Sequence, residues 1–319
     1  MGKASRRHTG GTSGSARRAA RPSGGMPSPA PFVRRPFEGL PGETDWVAMR
    51  EFLPAATAAV RFATKVSAAD VSALPQEAVV ATVLPMAWPG LHREGGGVMV
   101  ATQSGATSGD ASRDVAAAWL LAAAAEEGHP VVAVPTPTAD SPRLQDILDV
   151  SAPLEVTVHE GFEFWVGDTE LDEDSTASLQ RANESVVPTR RVVAAGGGAD
   201  GGAAADVARS VFWVRFGPRT FVRWVLPDDE DAATDGLARL VAADRQRLTP
   251  ESRLLGAFRA SGLLVPVWEV DAETEVESLG AAVAALVNPM REAIESSVAL
   301  TSDERRARNG LLSRQVTLR

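Results

Sequence analysis

The chain has 319 residues, 44% of them hydrophobic, with 32 basic and 41 acidic side chains. This length and composition allow a buried core and predict about two domains. Cysteine and tyrosine are absent, and the two lysines, Lys3 and Lys65, lie outside any G-x-x-x-x-G-K-[ST] pattern. Disulfides, thiolate metal sites, cysteine nucleophiles and a standard phosphate-binding loop are therefore excluded.

Charge is distributed unevenly along the chain. Residues 1–37 contain eight basic residues and no acidic residue, whereas residues 38–319 carry a net charge of −17. Because residues 1–34 are also rich in Gly, Ser, Pro and Ala, we expect a disordered basic tail. Such a tail suits ribosomal or other RNA, and the acidic body suits a protein partner. The candidate polyanion contacts are Lys3, Arg6, Arg7, Arg17, Arg18 and Arg21.

The tail has two alternative interpretations, an anionic membrane surface as its partner and a purely solubilising role. No aromatic or amphipathic anchor accompanies its charge, which disfavours the membrane. Arg6-Arg7 is not followed by an apolar stretch, and the most apolar helix candidate, residues 115–125, is too short to span a bilayer. The sequence therefore predicts a cytoplasmic protein without a membrane span, and it contains no signal for specific DNA binding.

The elements predicted in the first half follow from apolar periodicity and from turn and cap residues. They are a helix at 44–53 beginning at Thr44 or Asp45, strands at 57–65, 78–84 and 98–102, a helix at 113–127 capped by Asp110 or Ser112, a short helix at 142–149, and a strand at 154–166.

The second half follows a similar order. Its predicted elements are a helix at 175–184, a strand at 190–194, hairpin strands at 211–216 and 220–226, a helix at 231–245, a short helix at 250–260, a strand at 263–270, a helix at 275–297 that Pro289 kinks or divides, and a short helix from the capping box Thr301/Glu304 to Asn309-Gly310.

Several matching residues in the two halves lie 110 positions apart. Examples are Arg143-Leu144 with Arg253-Leu254 and Leu154 with Leu264. We therefore expect an α+β fold of two similar mixed modules, with a chance similarity of composition as the alternative. The predicted organisation is a tail at 1–34, a first module at 35–170, an acidic and Gly-rich linker with a helix at 171–209, and a second module at 210–319.

Three motifs resemble known sites but have a simpler explanation. Gly196, Gly198 and Gly201 match a dinucleotide fingerprint, yet a hairpin follows them in place of a helix, which favours a plain flexible loop. The acidic run at 168–174 lacks the glycine and closing glutamate of a calcium loop and is interpreted as solvated. The polar segment at 108–114 lies at a helix start, which favours capping over catalysis.

Two further groups are candidate surface or pocket residues. His159, Glu160 and Glu163 offer an imidazole and carboxylates to a metal, but neighbouring strand residues point to opposite faces, which favours a structural role. On the 211–226 hairpin, aromatic residues alternate with Arg215, Arg219 and Arg223. This pattern is compatible with stacking on RNA and is more typical of a half-buried sheet. The candidates retained are His159, Glu163, Trp165 and Arg223.

Blocks spread over nearly everything after residue 35 resemble one family of proteins. The blocks are residues 35–43 with 45–47, 81–89, 142–149, 161–166, 223–227 and 300–318. Together they resemble a family of uncharacterised actinobacterial proteins of unknown function. Many members carry an N-terminal SEC-C motif, the cysteine-rich zinc knuckle also found in the SecA translocase motor, and are labelled SecA-like on that motif alone.

The zinc knuckle cannot form here because the chain has no cysteine. No residue of this chain therefore supports the label of a SecA-like translocase. In related systems the knuckle resembles a ribosome or partner adaptor, so the resemblance implies that the arginine-rich tail serves a similar docking task.

The function predicted from these observations is a non-enzymatic adaptor without a cofactor, whose tail contacts RNA while its body contacts protein. The alternative is a small-ligand-binding protein or enzyme that uses Asp, Glu and Arg in a pocket between the modules. Converging carboxylates and arginines in a deep pocket would favour the alternative. A flat exposed patch around Trp88 or Trp165 would favour a protein partner.

Overall fold

The computed structural model describes residues 28–63, 75, 77–95, 97–105, 108–166, 170–195 and 207–313. Within them are two β-sheets and seven α-helices, which confirms the predicted α+β class. The helices are α1 (Glu43–Glu51), α2 (Ala111–Ala124), α3 (Leu144–Ile147), α4 (Glu173–Glu184), α5 (Glu230–Ala242), α6 (Leu279–Glu295) and α7 (Ser302–Ser313).

The first sheet has six strands in the order β5-β3-β4-β2-β1-β6. Its strands are β1 (Ala56–Arg61), β2 (Glu77–Ala81), β3 (Gly90–His92), β4 (Val98–Ala101), β5 (Pro130–Val131) and β6 (Val156–Val158). Neighbours are antiparallel except β2 and β4, which run parallel, with Val80 opposite Val100. Helix α2 follows β4 directly and covers one face of this sheet.

The second sheet has five antiparallel strands in the order β10-β11-β9-β8-β7. They are β7 (Thr189–Arg191), β8 (Val211–Phe216), β9 (Arg219–Trp224), β10 (Arg253–Ala260) and β11 (Leu263–Val270). Val211, Phe212, Trp213 and Val214 of β8 are all buried. A strand that is apolar at successive positions is buried on both faces, and this explains why β8 does not alternate strictly.

Each face of the second sheet packs against a different layer. Val211 and Trp213 point toward α5, α6 and α7 and form a core with Leu237 and Leu286. Phe212 and its neighbours on the other face join a core that also contains residues of the first sheet and of α1 and α2. The members of this shared core include Trp46, Val100, Trp119, Phe212, Val214, Phe258 and Val265. The two sheets therefore bury apolar surface against each other.

Two predicted elements were wrong. Residues 250–260 were predicted as a short helix, but Arg253–Ala260 is strand β10, which pairs with β11 except at a bulge between Leu254 and Gly256. Tertiary pairing with β11 overrides the local helix preference here. The predicted strand at 154–166 is only Val156–Val158, and its aromatic end forms a 3₁₀ turn at Glu163–Trp165.

The internal duplication is not confirmed. Arg143 caps helix α3, whereas its proposed match Arg253 lies in strand β10. Pro289 lies inside α6, which continues from Leu279 to Glu295, and α7 continues past Asn309-Gly310 to Ser313. None of the described helices is both long and apolar enough to cross a membrane.

Candidate functional site

An extended segment at residues 28–36, called the strap below, crosses from the first sheet's loops to the second sheet. Its backbone amides at Ala30 and Val33 donate to the carbonyls of Pro137 (3.2 Å) and Gly109 (2.9 Å). The amide of Ala139 donates to the Ser28 carbonyl at 3.1 Å. Residues 28–34 of the predicted tail are thus bonded to the folded body.

Two glycines let the strap lie close to the body. A Cβ atom at Gly109 would lie 2.9 Å from Cα of Phe32, and one at Gly262 would lie 2.7 Å from the carbonyl oxygen of Arg34. At both distances a Cβ atom would clash with the backbone of the strap. Only residues without a side chain at these positions allow this path of the strap.

Ion pairs anchor the end of the strap to both parts of the fold. Arg35 donates to both carboxylate oxygens of Glu43 (2.5 and 2.8 Å) and to the carbonyl of Pro227 (2.7 Å). Arg143 donates to the carbonyl of Pro36 at 2.8 Å and to the fully buried Asp110 at 2.9 Å. The strap thereby links α1, α2 and the second sheet.

A cleft of about 680 Å³ opens beside the strap. We call it the strap cleft. Its walls are the strap, the C-terminal end of α1, the N-terminal ends of α2 and α5, and the end of β10 with the turn that follows it. Three arginines and three carboxylates line it: Arg34, Arg50, Arg259, Glu51, Asp114 and Glu230.

Glu230 forms the centre of one wall. Its side chain is only 3% exposed and pairs with two arginines, Arg34 (Nη2 to Oε2, 2.7 Å) and Arg259 (Nε to Oε1). The single carboxylate of Glu230 thus serves two guanidinium groups, and Asp229 and Asp231 lie close enough to act on Arg34 as well. Arg259 makes this pair through Nε, and about half of its side chain (49%) is exposed. Hydrogen bonding to Glu230 raises the pKa of Arg34, which keeps that guanidinium protonated.

The end of α1 contributes Arg50 and Glu51 to the lining of the cleft. Arg50 donates through Nη1 to the carbonyls of Thr102 and Ser104, so it has no carboxylate partner among the described residues. Glu51 accepts a hydrogen bond from the Ser261 hydroxyl at 2.6 Å and, in the same part of the structure, forms no ion pair. The buried Asp114 lies in the first turn of α2 nearby. The cleft therefore brings arginine N–H donors and the Glu51 carboxylate to the same space.

The turn that closes the cleft is a two-residue hairpin. Ser261 and Gly262 have φ values of 45° and 84°, the positive values that a type I′ turn needs. Arg259 comes two residues before Ser261 and is placed at the cleft by this turn. A Ser-Gly pair between two apolar runs was the sequence signal for it, and the predicted helix at 250–260 concealed that signal.

Comparison with protein families identifies the chain at the level of its family. A family model described as a family of unknown function (DUF5926) matches residues 36–319. The chain belongs to the DUF5926 family. Neither the curated proteins nor the solved structures contain a significant match.

The match confirms the predicted relationship to a family of unknown function. It begins at the last residue of the strap, so in this DUF5926 chain Arg50, Glu51, Asp114, Glu230 and Arg259 lie inside the matched part and Arg34 lies outside it.

Three of the four predicted surface or pocket residues lie together, on the face of the first sheet away from α2. His159 Nε2 is 2.8 Å from the Thr57 hydroxyl, and its ring packs on Phe164 with centroids 4.9 Å apart. Glu163 accepts from the Asn183 amide at 2.8 Å, and Trp165 donates to the Val83 carbonyl at 2.8 Å. Burial lowers the pKa of His159, and the nearby Glu163 partly opposes this.

This cluster is mainly a packing arrangement. Trp165 stacks on Phe162 with centroids 4.2 Å apart, and the aromatic rings cover the small core of Leu84 and Met99. Across the described residues there is no group of three His, Asp or Glu side chains suited to a metal ion. Met86 is exposed and Trp88 is half-buried, so the flat exposed patch around a tryptophan is not formed here, and the strap cleft is the more specific feature.

The remaining sequence candidates separate into two groups. Trp213 and Trp224 of the hairpin are buried and donate their indole N–H groups to carbonyls, so these two rings are not accessible to bases. Asp110 caps α2 by accepting from the Ser112 amide at 3.1 Å, which confirms capping at that segment. The six basic tail residues, the glycine motif at 196–201 and part of the 168–174 run lie outside the described residues.

Proposed function

We propose that this protein binds a small polar ligand in the strap cleft, holding an anionic group of the ligand with arginines and a cationic or donor group with Glu51. The observation that supports this proposal is the meeting of three arginines and three carboxylates in a cleft of about 680 Å³. Ligand sites typically measure about 300–1,000 Å³ and contain a few convergent polar groups.

The charge arrangement favours a ligand with an acidic group. Arg34 and Arg259 share the single carboxylate of Glu230 as their ion-pair partner, so neither guanidinium has that carboxylate to itself. The terminal nitrogens of Arg259 form a planar pair of donors, and such a fork matches the two oxygens of a carboxylate or phosphate. Because Arg259 lines the cleft and about half of its side chain is exposed, a small molecule can reach it.

The acceptor side of the cleft favours an amino group on the same ligand. Glu51 has a hydroxyl as its partner and, among the described residues, no cation. An ammonium group placed beside it would supply the missing opposite charge. Amino acids and related zwitterions combine both features in one molecule.

This proposal is tested by ligand binding to the full chain. Isothermal titration with three sets of probes (zwitterionic amino acids, dicarboxylates and nucleoside monophosphates) should identify at least one that binds, with amino acids favoured. Arg259→Gln should weaken its binding about tenfold or more, because a charge-assisted fork is lost. Arg253→Gln is the matched control, since Arg253 lies on the same strand but pairs with Glu269 at 2.8 Å. Absence of binding by every probe, or equal binding by both variants, would contradict the proposal.

The charge of the tail supports a second function, that of an adaptor. Residues 1–27 hold six basic residues and no acidic one, and the strap joins them to a body of opposite charge. Counterion release makes a cationic segment bind phosphate backbones without regard to sequence. In this second proposal the tail contacts ribosomal or other RNA while the acidic body contacts a protein, in the cytoplasm.

The adaptor function is tested with two full-length variants and ribosomal RNA. In the first, Lys3, Arg6, Arg7, Arg17, Arg18 and Arg21 are all replaced by Gln. In the second, the order of residues 1–27 is scrambled, which keeps their charge. Filter binding at rising salt should show strong, salt-sensitive binding for the natural and scrambled tails and weak binding for the Gln tail. Equal binding by all three proteins would show that the positive charge of the tail does not contribute to RNA binding.

A further inference from the structure

Arg223 is a charged side chain in an apolar place. It lies on β9 opposite Phe212 of β8 and Val267 of β11, on the face of the second sheet that packs toward α1. Only 7% of the residue is exposed. Arginine is rarely buried to this extent without a charged partner, so its surroundings call for an explanation.

Aromatic rings from two different elements surround its guanidinium. The Cζ atom lies 5.3 Å from the ring centroid of Phe52, at the end of α1, and 5.4 Å from that of Phe216, at the end of β8. Phe52 also packs edge-on against Phe212 and Phe258 with centroids 5.7 and 6.0 Å apart. Rings over the faces of a guanidinium hold it in place by cation–π attraction but leave its N–H edges unbonded.

Within the described residues, Arg223 has neither a hydrogen bond nor an ion pair. Its Nε is fully buried and has no partner. Arg191, in the same row of the sheet, instead pairs with Asp45 at 3.0 Å. A buried charge without a partner is unfavourable, and a charged group strongly perturbed by burial is a candidate for a functional site.

The charge persists and can be reached. Burial lowers the pKa of Arg223 to about 10, which still leaves the group protonated at neutral pH. Of its three nitrogens, only Nε is both buried and unpaired. Because the residue keeps 7% exposure, the Nη edge is the side from which an anion can reach the guanidinium.

We propose that Arg223, framed by Phe52 and Phe216, is an anion-binding site for a carboxylate or phosphate group, separate from the strap cleft. The planar edge of the guanidinium donates two parallel N–H bonds to two oxygens of the anion. The aromatic frame fixes the edge before the anion arrives, so little side-chain freedom is lost on binding. The anion supplies the negative charge that the described surroundings of Arg223 lack.

The first test follows the Nε–H signal of Arg223 directly. The full chain is labelled with ¹⁵N-arginine, and the signal is assigned by its disappearance in Arg223→Lys. Phosphate and acetate are then titrated separately at constant ionic strength, with chloride as the balancing anion. Saturable movement of this signal by phosphate, acetate or both supports the site and identifies the preferred oxyanion. A signal that neither anion moves overturns the proposal.

The second test uses thermal stability and does not depend on the assignment. Arg223→Met replaces the charge by an apolar side chain of similar length, so in chloride buffer it should raise the Tm above that of the natural chain. The preferred oxyanion should raise the Tm of the natural chain. It should raise the Tm of Arg223→Met by a smaller amount, and the difference between the two shifts is the contribution of binding at Arg223.

Arg215→Met is the control for the thermal test. Arg215 lies on the same hairpin, over the ring of Trp213, and donates to the Ala272 carbonyl at 3.0 Å. This variant should retain the full oxyanion response of the natural chain. If Arg223→Met lowers the Tm in chloride and keeps the full response, Arg223 is structural and the proposal fails.

Discussion

Asp45 is a buried charge that bonds α1 to the second half of the chain. It is 1% exposed and accepts from Arg191 and Arg209, each at 3.0 Å, and from the Ser210 hydroxyl at 2.6 Å. Asp45 belongs to α1, whereas its three partners belong to the second sheet and to the segment preceding it. The carboxylate therefore stabilises the contact between the two halves of the chain.

Asp45→Asn should lower the free energy of unfolding by about 3 kcal/mol, because two partly buried arginines lose their counter-charge. Urea unfolding measures this loss. Glu277→Gln is the matched control, since it removes an ion pair of 2.7 Å with Arg190 in which both side chains are more than half exposed. That variant should lose less than about 1 kcal/mol. Similar losses in the two variants would show that Asp45 does not stabilise the interface through its charge.

His159 should make stability depend on pH. Burial lowers its pKa below the ordinary value of 6.5 in the folded state. Between the folded pKa and 6.5 the unfolded chain therefore binds more protons, so the free energy of unfolding falls as the pH drops below 6.5. His159→Gln keeps a group able to bond Thr57 and should remove this part of the slope. Urea titrations between pH 5.5 and 7.5 test it, and parallel curves for both proteins would refute it.

At the level of single residues, local roles were predictable and distant ones were not. The Thr301/Glu304 capping box is confirmed, with the Thr301 amide bonded to Glu304 at 2.7 Å, because both partners lie within four residues. The pairing of Asp45 with Arg209 joins residues 164 positions apart. Composition and spacing carry no signal for such a contact, and the same limitation concealed the strap cleft.

At the level of elements, two glycines in helices should respond oppositely to the same change. Gly236 lies in α5 where α6 crosses it, and a Cβ there would lie 2.8 Å from the backbone nitrogen of Ile294. Gly310 lies in α7 with nothing within 4 Å of an added Cβ. Helix propensity favours Ala at both positions, so any difference reports packing.

Gly236→Ala should destabilise the chain by about 1–3 kcal/mol, because the two helices must move apart. Gly310→Ala should stabilise it by about 0.5–1 kcal/mol through reduced freedom of the unfolded chain. Thermal and urea unfolding of the two variants measure both signs. If Gly236→Ala proved neutral or stabilising, α5 and α6 would not be packed as closely as described.

Element types were predictable where the local pattern agreed with the tertiary environment. Helices α1, α2 and α5 and strands β8 and β9 lie close to where periodicity and caps placed them. The exception at 253–260 has a physical reason. Leu254 and Leu255 are only half-buried and Gly256 follows them at a register shift, so strand alternation is interrupted where β10 bulges.

At the level of the whole molecule, the shared core bears on the domain boundaries predicted at 35–170, 171–209 and 210–319. Phe212, Val214 and Phe258 of the second sheet pack in the same core as Trp46 and Trp119. Separating the halves would expose this apolar surface to water, at a cost of roughly 25 cal/mol for each Å² uncovered. Each half would also lose one partner of the Asp45 and Arg35 interactions.

We therefore expect the chain to fold as one cooperative unit. The full-length protein should unfold in a single calorimetric transition whose calorimetric and van't Hoff enthalpies agree. A fragment of residues 28–170 should show no cooperative transition alone, and adding a fragment of residues 171–319 should restore one, because the shared core then re-forms. A fragment of residues 28–170 that melts cooperatively by itself would establish the predicted modules as independent domains, and the interface between the sheets would then be a contact between them instead of a common core.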